Sequence, residues 1–154
     1  MNALVQRGEM LLGEEGFRPR PYQDHLGNWT FGHGLTWISE SESMAIVMRR
    51  IPMMLRELTG TYPWLDGDMP IEVAMVMLHM SYQLGLAGLG RFTKTLDHLE
   101  NKRFLMASHE MLDSKWARQT PERAKRLSDR IAAIARDYED TDDQDDGGPI
   151  IELH

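Results

Sequence analysis

Glu15-Gly16-Phe17-Arg18-Pro19-Arg20-Pro21-Tyr22-Gln23-Asp24, running on through His25-Leu26-Gly27-Asn28-Trp29-Thr30-Phe31-Gly32-His33-Gly34-Leu35, is where the chain changes character. Its prolines and glycines forbid a stable helix, while Tyr22, Trp29, Thr30 and Phe31 favour strands. His25-Leu26-Gly27-Asn28 suits a turn between them, so a small β-hairpin is expected. Glu15 ends a helical pattern, Asp24 follows nine residues later in the turn, and Thr30 comes six residues beyond on the second strand.

Outward from this stretch the chain is helical. Residues 3–13 read as a short amphipathic helix with Leu4, Val5, Leu11 and Leu12 inward and Gly8 weakening its middle. Ser39 or Ser41 can cap the next helix, whose apolar positions Met44, Val47, Ile51, Met54, Leu55 and Leu58 follow helical spacing. Pro52 inside it predicts a kink or a break. Gly60 to Pro70 reads as a loop. Ile71 to Leu84 is apolar on nearly every side and belongs in the middle of a bundle. Gly85, Gly88 and Gly90 punctuate a connection. Thr93 then caps a helix with Leu96 and Leu99 inward, and Phe104 to Leu112 forms another. Thr120-Pro121-Glu122 starts a last helix, through Leu127, Ile131 and Ile134 to about Arg136.

The 154 residues, 42% apolar, fit one domain in two lobes around a cleft. No cysteine is present, which excludes disulfides, a thiol nucleophile and thiolate metal sites. Residues 137–154 hold eight acids and no Lys or Arg, whereas residues 1–136 carry 17 bases against 16 acids. The body is therefore near neutral, with its bases concentrated between Arg91 and Arg136, and the tail has too little apolar material to pack. It is expected to be flexible. The first residues lack the apolar run of a signal peptide or membrane anchor, so synthesis in a cytoplasm without stable membrane insertion is expected.

Two carboxylates held apart, with a hydroxyl beside the second, are the parts needed to hydrolyse a glycosidic bond with one water. Glu15, following an apolar helix, suits a partly dry site that keeps it protonated as the acid. Asp24, in a polar turn, suits an ionised base, and Thr30 can hold the water. Glu14 is the rival for the acid. The order and spacing, with the flanking Gly16-x-Arg18 and Tyr22-x-Asp24, resemble the catalytic Glu, Asp and Thr of the phage-type lysozymes, glycoside hydrolase family 24. The runs Met80-Ser81-Tyr82-Gln83-Leu84-Gly85, Phe92-Thr93-Lys94-Thr95-Leu96 and Ser114-Lys115-Trp116-Ala117-Arg118-Gln119-Thr120-Pro121-Glu122-Arg123-Ala124-Lys125-Arg126 carry the same resemblance. It is closest to the T-even phage branch, over residues 1–38 and 71–131.

The resemblance implies an α+β, mainly α, lysozyme-like fold: a β-lobe over about 14–38, and a helical lobe over about 71–136 joined by the N-terminal helix. Residues 1–136 form the catalytic domain and 137–154 the tail. It also implies a monomeric endolysin that cuts the β-1,4 bonds between N-acetylmuramic acid and N-acetylglucosamine in bacterial peptidoglycan, with inversion. Made in the host cytoplasm, it would reach the wall in the periplasm through a separate holin. No cofactor, metal or nucleic acid is implied. By the same resemblance Tyr82 and Thr95 contact the sugar chain, and Arg123 neighbours the acid. A lytic transglycosylase using Glu15 alone, or a non-catalytic wall-binding or virion protein with this fold, are the alternatives.

The match fails in two places. The segment between Leu35 and the next helix lacks the loop and small helix of the larger members, which reduces the β-lobe, and the histidine is displaced. The family continues from its threonine as Thr-x-Gly-x-Gly-His, whereas here His33 stands between the glycines and Leu35 takes the histidine position. Arg50 stands near where the family's partnering acid is expected, so that ion pair is missing from both ends. His33 reads as a turn histidine and Trp116 as a core anchor. Asp142-x-Gln144-x-Asp146-Gly147 misses an EF-hand loop, with Gln144 at its third position and Glu152 one residue early. His79, His98 and His109 lack partners at metal-ligand spacing.

Overall fold

The computed structural model describes Leu12, Glu14 and residues 16–142, with side chains as far as Asp137. Glu15, most of the expected N-terminal helix and the near-miss calcium loop beyond Asp142 lie outside the described residues. Two compact units are distinguished, Met1–Arg50 and Ile51–His154.

In the first unit, β1 (Arg18–Gln23) and β2 (Trp29–Gly32) form the two-stranded antiparallel sheet. Arg18 pairs with Gly32, Tyr22 with Thr30 and Gln23 with Trp29, and the register shifts between Arg18 and Tyr22. Pro19 and Pro21 fall inside that shift. Neither has an N–H to give to a ladder, so the irregularity sits where the prolines remove the donors. The Arg18 guanidinium lies 4.2 Å from the centre of the Tyr22 ring.

Helix α1 runs from Glu40 to Thr61. Ser39 is its cap: its Oγ accepts from the Glu42 N–H at 3.3 Å, and the Glu42 carboxylate accepts from the Ser39 N–H at 2.8 Å. This reciprocal box uses two donors that the first turn leaves free. Of the kink or break expected at Pro52, no break is seen: the helix runs through it as one element. Pro52 and Met48 are both exposed, so water can take the Met48 carbonyl that the proline leaves without a helical donor. The expected loop from Gly60 is correspondingly shorter, since α1 reaches Thr61 and a 3₁₀ turn follows at Pro63–Leu65.

The second unit is a bundle. Helix α2 (Ile71–Leu89) buries Val73, Val76, Met77, Leu78 and Met80 in the core. Glu72, Met75, His79 and Tyr82, spaced three or four apart, stay exposed, so it is not enclosed on every side as its composition suggests. Among the described residues no single helix is long and apolar enough to cross a membrane. The helix reaches five residues past Leu84, but Gly85 breaks its path with φ 73° and ψ 163°, a conformation that only glycine adopts easily. Helices α3 (Thr93–Glu100) and α4 (Phe104–Leu112) follow. Thr93 is the first helical residue of α3 rather than its cap: Phe92 takes the cap position with no side-chain bond. A short α5 (Lys115–Gln119), absent from the sequence reading, is capped by Ser114, whose Oγ accepts from the Ala117 N–H at 3.0 Å.

Helix α6 spans Pro121–Asp142. The Thr120 hydroxyl, expected to cap it, donates back to the Trp116 carbonyl at 3.0 Å, because Thr120 also ends α5. The helix continues six residues past Arg136 into the acidic tail. The core joins Leu58 and Leu65 to α2, then Leu99, Phe104, Ala107, Met111, Trp116, Ala124, Leu127, Ile131 and Ile134. Each large apolar side chain buried there contributes about 1.5–3 kcal/mol. The α+β class with helices predominating is the one expected from the sequence.

Candidate active site

Asp24 opens the hairpin turn and is held by the turn's own backbone. Its Oδ1 accepts from the Leu26 N–H at 2.9 Å and from the Asn28 N–H at 2.8 Å. Its Oδ2 accepts from the Asn28 amide at 3.3 Å. An Asx turn of this kind both shapes the loop and aims the carboxylate. The Asn28 backbone N–H is the main reason the carboxyl is held below its ordinary 3.8; desolvation opposes it next in size, and the Asn28 side chain, the Leu26 N–H and the charge of His25 lower the value further. Asp24 is therefore ionised at neutral pH.

Thr30 is buried, 5% exposed, opposite Tyr22 on the facing strand. Its hydroxyl donates to the Asn28 carbonyl at 3.2 Å, and the same carbonyl accepts from the Asp24 N–H at 2.9 Å. One residue, Asn28, thus fastens both the carboxylate and the hydroxyl. Sequence reasoning passed over it because an uncharged turn residue carries no chemistry of its own. Its only signal was its position between Asp24 and Thr30. With its proton given to Asn28, the Thr30 oxygen is left as an acceptor.

A depressed pKa fixes the sign of the pH effect. The folded value lies below the unfolded one, so the turn's contribution to stability is complete above about pH 4 and is lost as pH falls through the folded value. Carboxyl NMR should show Asp24 titrating below 3.8. Asn28→Ala should raise that midpoint without restoring it fully, because both backbone donors remain. A midpoint at or above the ordinary value would mean the turn does not hold the carboxylate in solution.

The helical unit carries the remaining candidates. Thr95, only 3% exposed, lies in the wall of a 650 Å³ groove shared with Phe92, Lys94, Glu110, Ser114 and Trp116. Lys94 Nζ stands 3.9 Å from Glu110 Oε2, an exposed lysine against a half-buried carboxylate, a pair worth little to stability. Hydroxyls, both signs of charge and one aromatic wall suit the groove to a polar polymer. Trp116 is 4% exposed and donates from Nε1 to Gln83 Oε1 at 2.9 Å, so it is a core anchor that also forms groove wall. Arg123, exposed, lines a separate 290 Å³ pocket with Gln83, Glu122 and Arg126. Tyr82 is 52% exposed on α2 and lies outside the linings of both. The structure thus joins Asp24 to Thr30, sets Thr95 in the groove and places Arg123 in the other pocket. Glu15 is outside the described residues, and Glu14 is exposed.

No family model matches the chain. A probable T4-type lysozyme of Dictyostelium discoideum is 28% identical over 151 residues, covering 77% of this chain and 89% of that protein. That similarity supports a relationship to the T4-type lysozymes. The relationship agrees with the class of fold described above, a two-stranded antiparallel sheet followed by several helices. T4-type lysozymes are thus the frame in which the Asp24–Asn28–Thr30 arrangement is best interpreted.

Proposed function

We propose that this chain hydrolyses β-1,4 bonds between N-acetylmuramic acid and N-acetylglucosamine in peptidoglycan, with inversion at the anomeric carbon. The observation that carries this reading is the Asn28 fastening of an ionised Asp24 and an acceptor Thr30. Glu15 protonates the oxygen of the departing sugar as its bond to the anomeric carbon breaks. The water held by Asp24 and Thr30 attacks that carbon from the opposite face and gives its proton to Asp24. Such a mechanism needs about 6.5–9.5 Å between the carboxyl groups, enough to admit the water. Thr95 and Tyr82 are assigned to the sugar chain and Arg123 to the neighbourhood of Glu15. The T4-type relationship supports lysozyme-type chemistry, and the T-even resemblance of residues 71–131 supports a role in phage lysis of the host.

The test is the product. Digested peptidoglycan should yield ordinary reducing ends, and an NMR time course should show the first-formed sugar with inverted configuration. Anhydro ends would mean a transglycosylase, no cleavage a non-catalytic protein, and a retained anomer a nucleophilic carboxylate set closer than inversion requires.

A further inference from the structure

The hairpin has a second face. In an antiparallel pair, residues directly opposite one another project to the same side, and neighbours along a strand project to opposite sides. Thr30, opposite Tyr22, marks one face, and Trp29, opposite Gln23, marks the other. Exposure follows the alternation: Thr30 is 5% exposed and Trp29 64%. Phe31, two residues on from Trp29, falls on the Trp29 side. Leu35 joins it there, because Phe31 and Leu35 exchange two backbone hydrogen bonds, at 2.8 and 2.9 Å. The face turned away from Thr30 thus carries Gln23, Trp29, Phe31 and Leu35, none of them charged. Gln23, Trp29 and Leu35 are exposed and Phe31 is half-buried. A tryptophan left this open forgoes most of the burial that such a ring ordinarily gains.

The chemistry of the face selects its occupant. An anionic lipid surface is met by Lys or Arg around the aromatic ring, and a charged peptide by the opposite charge; this face offers neither. A β-1,4-linked N-acetylated sugar turns a flat set of C–H bonds toward the electron-rich face of an indole, and carries acetamido and hydroxyl groups at its rim that an amide can meet. Trp29 supplies the ring, and Gln23, its cross-strand partner, supplies the amide. We propose that the outer face of the hairpin, built on Trp29 and Gln23, is a second glycan-binding site, which holds one chain of the wall while the Asp24–Thr30 pair works on another. The proposal rests on peptidoglycan being the substrate. Because Trp29 and Thr30 project from opposite sides, a sugar seated on one does not reach the other. Peptidoglycan presents many chains side by side, and a second contact to the same polymer raises the local concentration of the enzyme.

The experiment measures cosedimentation on ice with purified peptidoglycan sacculi for the wild type, Trp29→Thr, Trp29→Phe and Gln23→Ala, at low and at high salt, beside vesicles of phosphatidylglycerol. Trp29→Thr keeps the strand preference and should bind sacculi about tenfold more weakly, the size of an aromatic stacking contact. Trp29→Phe should recover part of the loss, and Gln23→Ala should lose about threefold. The Trp29→Thr deficit should be the same at both salts, because no charge makes it. In the wild type, a soluble tetramer of β-1,4-linked N-acetylglucosamine should shift the indole N–H signal of Trp29 in NMR. The Asp24 titration midpoint, held below 3.8 by the turn, reports whether the hairpin survives each substitution. If it rises in Trp29→Thr, Trp29→Phe and the tetramer shift decide the matter. Undiminished binding by Trp29→Thr, an unmoved indole signal or a deficit that salt abolishes overturns the proposal. So does a Trp29-dependent affinity for the vesicles with none for sacculi, which would make the face a lipid contact. Sacculi that hold the wild type through Trp29 and stay uncut would instead count against the glycosidase reading, with this site left standing.

Discussion

Glu15→Gln is expected to lower kcat by roughly 10²–10⁴-fold while leaving the melting temperature nearly unchanged. The amide matches the carboxylic acid in shape but has no proton to give the leaving oxygen, so a step that needs protonation loses its donor. Asp24→Asn should cost a similar factor for the complementary reason: an amide cannot take the proton from the attacking water. The two variants should differ in stability. Asp24 accepts from Leu26 and from Asn28 twice, and an asparagine there replaces a charged acceptor with a neutral one across all of those bonds. Some loss of hairpin order is expected for Asp24→Asn and not for Glu15→Gln. Lysis assays beside circular dichroism would separate the two effects. Full activity in a folded Glu15→Gln protein would remove Glu15 as the acid and send attention to Glu14. Full activity in Asp24→Asn would remove the base.

The hairpin was legible because prolines, glycines and aromatics each act on the backbone locally, without help from the rest of the fold. The bounds of α4 were legible from its apolar spacing, and the core place of α2, though not its exposed side, from the scarcity of charge around it. What escaped depended on signals that are weak or distant. Five residues are too few to show a helical period, so α5 went unread, its one local signal being the Ser114 cap. The end of α6 was placed where apolar residues cease, yet helices stop at breakers. No glycine or proline stands between Arg136 and Asp142 to break it. Pro52 was read as a kink or a break and Gly85 as part of a connection, but α1 passes its proline on an exposed side and α2 resumes beyond its glycine. In the site, spacing pointed to the groups that titrate and missed Asn28, whose backbone holds them. Gln83 was quoted for resemblance alone, although its contact with Trp116 spans 33 positions in sequence.

That contact motivates the second large effect. Trp116→Ala should destabilise the helical unit by about 3–5 kcal/mol, the usual cost of removing a buried aromatic side chain. Trp116 is 4% exposed, meets Phe92 edge-on at 5.9 Å and 85°, and gives its indole N–H to Gln83. For a chain of this length such a loss corresponds to a melting shift of roughly 10 °C. Two milder variants apportion it. Trp116→Phe keeps a ring against Phe92 but strands the Gln83 oxygen, and Gln83→Leu strands the indole N–H. Gln83→Leu should cost about 1–3 kcal/mol, because the buried indole N–H loses its partner, and the half-buried Gln83 left by Trp116→Phe should cost less at that end, because it can turn to water. Combining them removes both polar ends together, so the double variant should be less destabilised than the sum of the singles. Denaturant melts of the four proteins supply the cycle. A Trp116→Ala loss below about 1 kcal/mol would show that the groove wall relaxes around the missing ring. Additive singles would show that the indole and the amide are not coupled in solution. Since Trp116 also lines the groove beside Thr95, the alanine protein should bind wall fragments more weakly even at temperatures where it stays folded.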